Sequence, residues 1–155
     1  MRRLIVCVVA VCAAVAPTAS VAPAKSGNGV MCVLHARLTA KNETTGSIST
    51  AKGHTQIKVR NGGTIEFKTH ILNLNGETFI AGHIHQAPVG VAGPIVVPLF
   101  VSPTPATSAR HIKQSGMATP NAGTTGANLC SNPSAYYVNY HTTLFPGGAI
   151  RGQLH

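Results

Sequence analysis

Apolar and polar positions alternate with a period of two over most of the chain, the pattern of half-buried strands. Residues 33–39 open the series. Ile57 and Val59 then alternate with Lys58 and Arg60 up to the turn signal Asn61-Gly62-Gly63. Beyond it, Ile65, Phe67, Thr69 and Ile71 share one face while Glu66, Lys68 and His70 share the other, so the two segments are predicted to form a hairpin. A second turn at Asn75-Gly76 leads into a strand over 78–85. A loop rich in Gly and Pro follows, and then an apolar strand over 95–101 whose Pro98 assigns it to a sheet edge.

The rhythm breaks over 102–135, where Pro, Thr, Ser, Gly and Asn predominate. This stretch is predicted to be a mostly irregular crossing with a short helical turn at 127–131, stopped by Pro133. Strands over 136–142 and 149–154, joined through Phe145-Pro146-Gly147-Gly148, close the chain. The fold class expected is all-β, either an antiparallel β-sandwich or a small Greek-key barrel, with one long irregular crossing.

The N-terminus reads differently. Arg2 and Arg3 precede an unbroken apolar run from Leu4 to Ala16, and small residues and prolines follow, the layout of a secretory signal peptide over residues 1–24. The run is too short to span a bilayer, no later stretch approaches the length needed, and no lipid-attachment pattern surrounds Cys7 or Cys12. One secreted domain over 25–155 is the expected mature protein. Removing the signal leaves Cys32 and Cys130 in an oxidising compartment, either joined in one disulfide or kept as buried thiols; the disulfide is the pairing expected.

Charge narrows the chemistry. The chain carries 12 Lys and Arg against three acids, and without Arg2 and Arg3 the balance is +7. Its basic residues are scattered singly along the sequence with no nucleic-acid motif, so a specific nucleic-acid partner is not expected, whereas an anionic cell-surface polymer or an extracellular protein is. The chain contains no Asp, and its acids are Glu43, Glu66 and Glu77. Neither a Ser-His-Asp triad nor a Gly-x-Ser-x-Gly elbow can be assembled, so no catalytic residue is assigned and an enzyme is not the favoured reading.

Histidine supplies the remaining candidate chemistry. His83 and His85, two apart on a strand, point to one side while Ile84 points to the other. With His141 they would offer three nitrogen ligands suited to copper or zinc, with an open fourth position. The bland alternative is that the rings brace loop carbonyls around Gly90 to Gly93.

Two segments resemble the CHRD domain, the module named after chordin. The first is His83-Ile84-His85 with Gly93-Pro94 and an apolar strand. The second is Tyr137-Val138-Asn139, His141-Thr142 and Pro146-Gly147-Gly148, with Ile150-Arg151-Gly152-Gln153 after it. The resemblance runs from about Val33 to Leu154 and marks Gly93, Pro94, Asn139, Gly147, Gly148 and Arg151 as structural positions. Ala149 stands where the family often has Glu, which removes an acid that could partner Arg151. The resemblance implies an extracellular binding or structural module. In chordin such domains belong to a protein that binds secreted growth factors, which implies protein binding. A copper- or zinc-handling protein, or a superoxide dismutase-like one, is the alternative, although dismutases of that kind use an Asp that this chain lacks.

Overall fold

A computed structural model describes residues 29–101 and 108–155; the signal peptide expected over 1–24 lies outside them. Eight strands form one antiparallel sheet: β1 (Val30–Thr39), β2 (Lys52–Arg60), β3 (Ile65–Leu72), β4 (Phe79–Gln86), β5 (Ile95–Val101), β6 (His111–Ala118), β7 (Tyr136–Thr142) and β8 (Ile150–Gln153). Their order is β5-β4-β7-β8-β1-β2-β3-β6, and the sheet curls into a nearly closed barrel, so of the two expected architectures the barrel is the one formed. One helix, α1 (Gly126–Ser131), lies where the short helical turn was expected.

Alternation decides which side chains fill the barrel. Leu34, Ala36 and Leu38 of β1, Ile57 and Val59 of β2, Ile65, Phe67 and Ile71 of β3, Ile84 of β4, and Val138 and Tyr140 of β7 are all buried there. Three hydroxyls share this interior. Thr55 and Thr69 face each other across β2 and β3 at 2.9 Å, and the Tyr140 hydroxyl donates to Thr69 Oγ1 at 2.8 Å, so no oxygen of the trio is left unpaired. Gly82 makes room for this arrangement, because a Cβ there would stand 2.5 Å from the Tyr140 ring.

The β2–β3 hairpin forms in the expected register, with Ile57 opposite Phe67. Strand β1 starts at Val30, three residues before the alternation becomes readable. The crossing over 102–135 is less irregular than expected, since it contains β6, which pairs along the length of β3. Its inward positions are Ile112, Gln114, Gly116 and Ala118, too small and mixed to read as an apolar stripe. The small residue is required, because a Cβ at Gly116 would press to 3.1 Å on the Phe67 ring.

Strand β5, with its Pro98, is an edge as expected, and β6 is the other edge. Asn121 covers the seam between them, donating its backbone N–H to Val96 O at 2.8 Å and its side-chain amide to Ile95 O at 3.2 Å. Cys32 of β1 and Cys130 of α1 form the expected disulfide, with Cα atoms 5.9 Å apart. Among the described residues, no helix is long and apolar enough to cross a membrane.

Candidate metal centre

Strand β7 is buried on both sides, because its outward face is roofed by loops. Tyr137, Asn139 and His141 point outward, opposite to Val138 and Tyr140. Register places them beside β4 and β8: His83 pairs with Asn139, His85 with Tyr137, Ala81 with His141, and Asn139 with Arg151. The roof is made by residues 87–94 after β4, by 143–148 after β7, and by the 3-10 turn Ala40–Asn42 with Glu43 after β1.

His83, His85 and His141 converge under this roof, with one nitrogen of each within 4.8 Å of the others. His83 Nδ1 and His141 Nε2 are 3.2 Å apart. Two imidazole nitrogens on a tetrahedral zinc ion are separated by about 3.3 Å, so this pair has the spacing that two ligands of one ion would need. The His83 ring lies 5.0 Å from that of His141 and 5.7 Å from that of His85.

Backbone carbonyls fix two of the tautomers. His85 Nδ1 is 2.9 Å from Gly93 O, and His141 Nδ1 is 2.9 Å from Pro146 O. A carbonyl can only accept, so both rings carry their proton on Nδ1 and expose the Nε2 lone pair. This outer-shell arrangement is the one that orients metal-bound histidines. His141 Nε2 receives the hydrogen bond of His83 Nδ1, whereas His85 Nε2 is buried without a partner. An orphaned acceptor at a buried site calls for an explanation, and a bound cation supplies one.

Electrostatics keep the trio neutral. Burial, reinforced by His141 and His85, holds the His83 pKa down at about 4. Burial also lowers His85 and His141, against the opposing effect of their carbonyl hydrogen bonds. Neutral imidazole is the ligating form.

The surrounding residues immobilise this geometry. The Tyr137 ring stacks on His85 at 4.9 Å and 10°, and the Arg151 guanidinium carbon lies 3.3 Å from the Tyr137 centroid. Since β7 runs between β4 and β8, Tyr137 is held between an imidazole and a cation. Arg151, 2% exposed, donates to Val91 O at 2.8 Å and Pro88 O at 3.0 Å, while Gln153 donates to Ala87 O at 2.9 Å. Gly93 N donates to the Tyr137 hydroxyl at 3.1 Å, and Pro94 O accepts from Gln86 N at 3.0 Å. Arg151 and His85 therefore both fasten the 87–94 loop, so bracing of the loop and orientation of the His85 ring are joint consequences of one arrangement.

The second roof loop is built around glycines. Gly148 has φ +142°, and a Cβ on it would stand 2.7 Å from Asn139 Nδ2 and 2.8 Å from Glu43 Oε2; at Gly147 a Cβ would touch Thr45 at 3.3 Å. Asn139 Oδ1 and Glu43 Oε1 are buried without partners. Burial raises the Glu43 pKa to about 7, against the attraction of Arg151 and the Thr44 N–H. Sequence reading missed Glu43 and the stacking role of Tyr137. The acid near Arg151 that Ala149 fails to supply comes from Glu43, forty residues before the first site histidine, and no local pattern marks it.

Comparisons with curated proteins and with solved structures returned no match. The family comparison matches the CHRD domain over residues 34–154, spanning β1 to β8, and by that match the chain belongs to the CHRD domain family.

Proposed function

We propose that the protein is a secreted binding module that holds one copper or zinc ion at His83, His85 and His141. The observation that carries this reading is the buried, partnerless Nε2 of His85, left as a free lone pair by the Nδ1–H···O=C bond to Gly93, on a ring with a nitrogen within 4.8 Å of nitrogens of His83 and His141. Ion binding replaces the His83–His141 hydrogen bond, shifts the His83 proton to its other nitrogen and draws the three nitrogens, within 4.8 Å of one another, to ligand spacing. Three neutral imidazoles leave the ion its full charge and a fourth position for water or a partner's donor atom, which suits metal handling or metal-bridged binding. The family is an extracellular one, the disulfide fits an oxidising compartment, and residues 1–24 have the layout of a cleaved signal peptide.

Secretion of the chain through an oxidising route, elemental analysis, and Cu(II) and Zn(II) titration of the chelated protein test the reading, with His83→Ala/His85→Ala as control. Near-stoichiometric metal with submicromolar affinity, lost in the double variant, is the expected result. Weak uptake that is the same in both proteins would leave the histidines as loop braces.

A further inference from the structure

The cations that are scattered in sequence are gathered by strand register. On the outer face of β1, β2, β3 and β6, one cross-strand row consists of Arg37, His54, His70 and Lys113, each directly opposite the next. The row on one side adds Lys52 and His111, and the row on the other adds His35 and Lys68. These three rows contain no Asp or Glu. Glu66 stands one row further on, already against Arg60 and Lys58; Glu77 is buried and accepts from Ser49, and Glu43 belongs to the roof over β7.

The face is also shaped. A groove of about 310 Å³ runs between β2, β3 and β6, lined by Lys52, His54, His70, His111 and Lys113. A second depression of about 360 Å³ lies between β1 and β2, lined by Arg37, Lys52 and His54. His35 Nδ1 and His54 Nε2 are 3.3 Å apart with rings stacked at 5.3 Å, and the His155 ring is 6.5 Å from His35. Adjacent strands about 4.8 Å apart and same-face residues about 6.7 Å apart give a grid of positive positions suited to a chain of regularly spaced anions.

We infer that this face docks a linear sulfated polysaccharide. Sulfate keeps its charge at every pH at which the imidazoles are charged, and Arg and Lys bind it through charge-assisted hydrogen bonds. Single-stranded nucleic acid fits less well, because the rows offer no Phe, Tyr or Trp for base stacking. A membrane surface fits less well because Leu72, the one aliphatic side chain in the rows, is half-buried and nothing can insert. Burial, then His35, Arg37, His70 and His155, lower the His54 pKa, so a bound polyanion and a proton on His54 favour each other. The inference rests on the extracellular reading of the chain and is independent of the metal.

The test is binding of the full secreted chain to heparin at physiological salt, with chelator present so that the metal reading cannot affect the result. The variant is Arg37→Ser/Lys52→Ser/Lys113→Ser. Its control is Ile48→Glu/Val101→Glu/Leu144→Glu, which changes net charge equally at exposed positions elsewhere. Thermal unfolding checks that both are folded; should the triple variant lose its fold, Lys113→Ser against Leu144→Glu makes the same charge-matched comparison. The face variant is expected to bind about 100-fold more weakly and the control less than about 10-fold. Equal losses in the two variants, or displacement of heparin by an equal charge of oligothymidylate, would overturn the inference.

Discussion

At the residue scale the roofed face of β7 contains two kinds of displaced titration, and they oppose each other. His83 has its pKa lowered from 6.5 to about 4, so between those values the unfolded chain binds the extra proton and stability rises with pH. Glu43 has its pKa raised from 4.5 to about 7, so across that window the folded chain holds the extra proton and stability falls as pH rises. In the metal-free protein the two effects partly cancel between 4.5 and 6.5. Glu43→Gln removes only the falling contribution. Its urea midpoint should therefore climb more steeply than that of the wild type between about pH 5 and pH 6.5, with chelator present. Parallel curves would mean that Glu43 is ionised in the folded protein and that its buried oxygen finds another partner.

At the element scale, what could be read from the sequence depended on how many faces a strand buries. The β2–β3 hairpin was legible because one face of each strand is core and the other is exposed. β6 was not, because the large Phe67 ring opposite it requires Gly116 where an apolar stripe would need a bulky residue. The His83–His85 pair was legible from spacing alone. Its meeting with His141 depends on the β4–β7 register, with Ala81 opposite His141, and two strands more than fifty residues apart do not declare their pairing in sequence. The cationic face was hidden for the same reason: Arg37, His54, His70 and Lys113 come from four strands. The loop after β4 joins local and long-range structure at Gly93, where a Cβ would stand 2.0 Å from Gln86 O. Gly93→Ala must push the loop away from the strand and break the His85 anchor. A loss of about 2 kcal/mol in urea denaturation, together with about 10- to 100-fold weaker metal binding, is expected. Unchanged metal affinity in a destabilised variant would show that the Gly93 carbonyl does not set the His85 tautomer.

At the scale of the whole molecule, the barrel and its outer site are held by different bonds. The Cys32–Cys130 bridge links β1 to α1 across 98 residues and seats Leu129 of α1, fully buried, against the core. In the chain-entropy model, closing a loop of that length contributes about 4 to 5 kcal/mol, acting mainly on the unfolded ensemble. That is a large share of the roughly 5 to 15 kcal/mol by which a domain is stable. The proposed metal ligands stand instead on β4 and β7, and their anchors are Gly93 O and Pro146 O, all outside β1 and α1, the two elements that the bridge joins. Cys32→Ser/Cys130→Ser should therefore lower stability by about 4 kcal/mol, seen as a shifted urea midpoint, while leaving metal affinity in the absence of denaturant within about threefold of wild type. Bound ion adds its own stabilisation by mass action, so the variant should recover part of its lost midpoint when Zn(II) is supplied, by the same increment as the wild type. A variant that is folded without denaturant yet unable to bind metal would show that the bridge positions the site as well as restraining the unfolded chain.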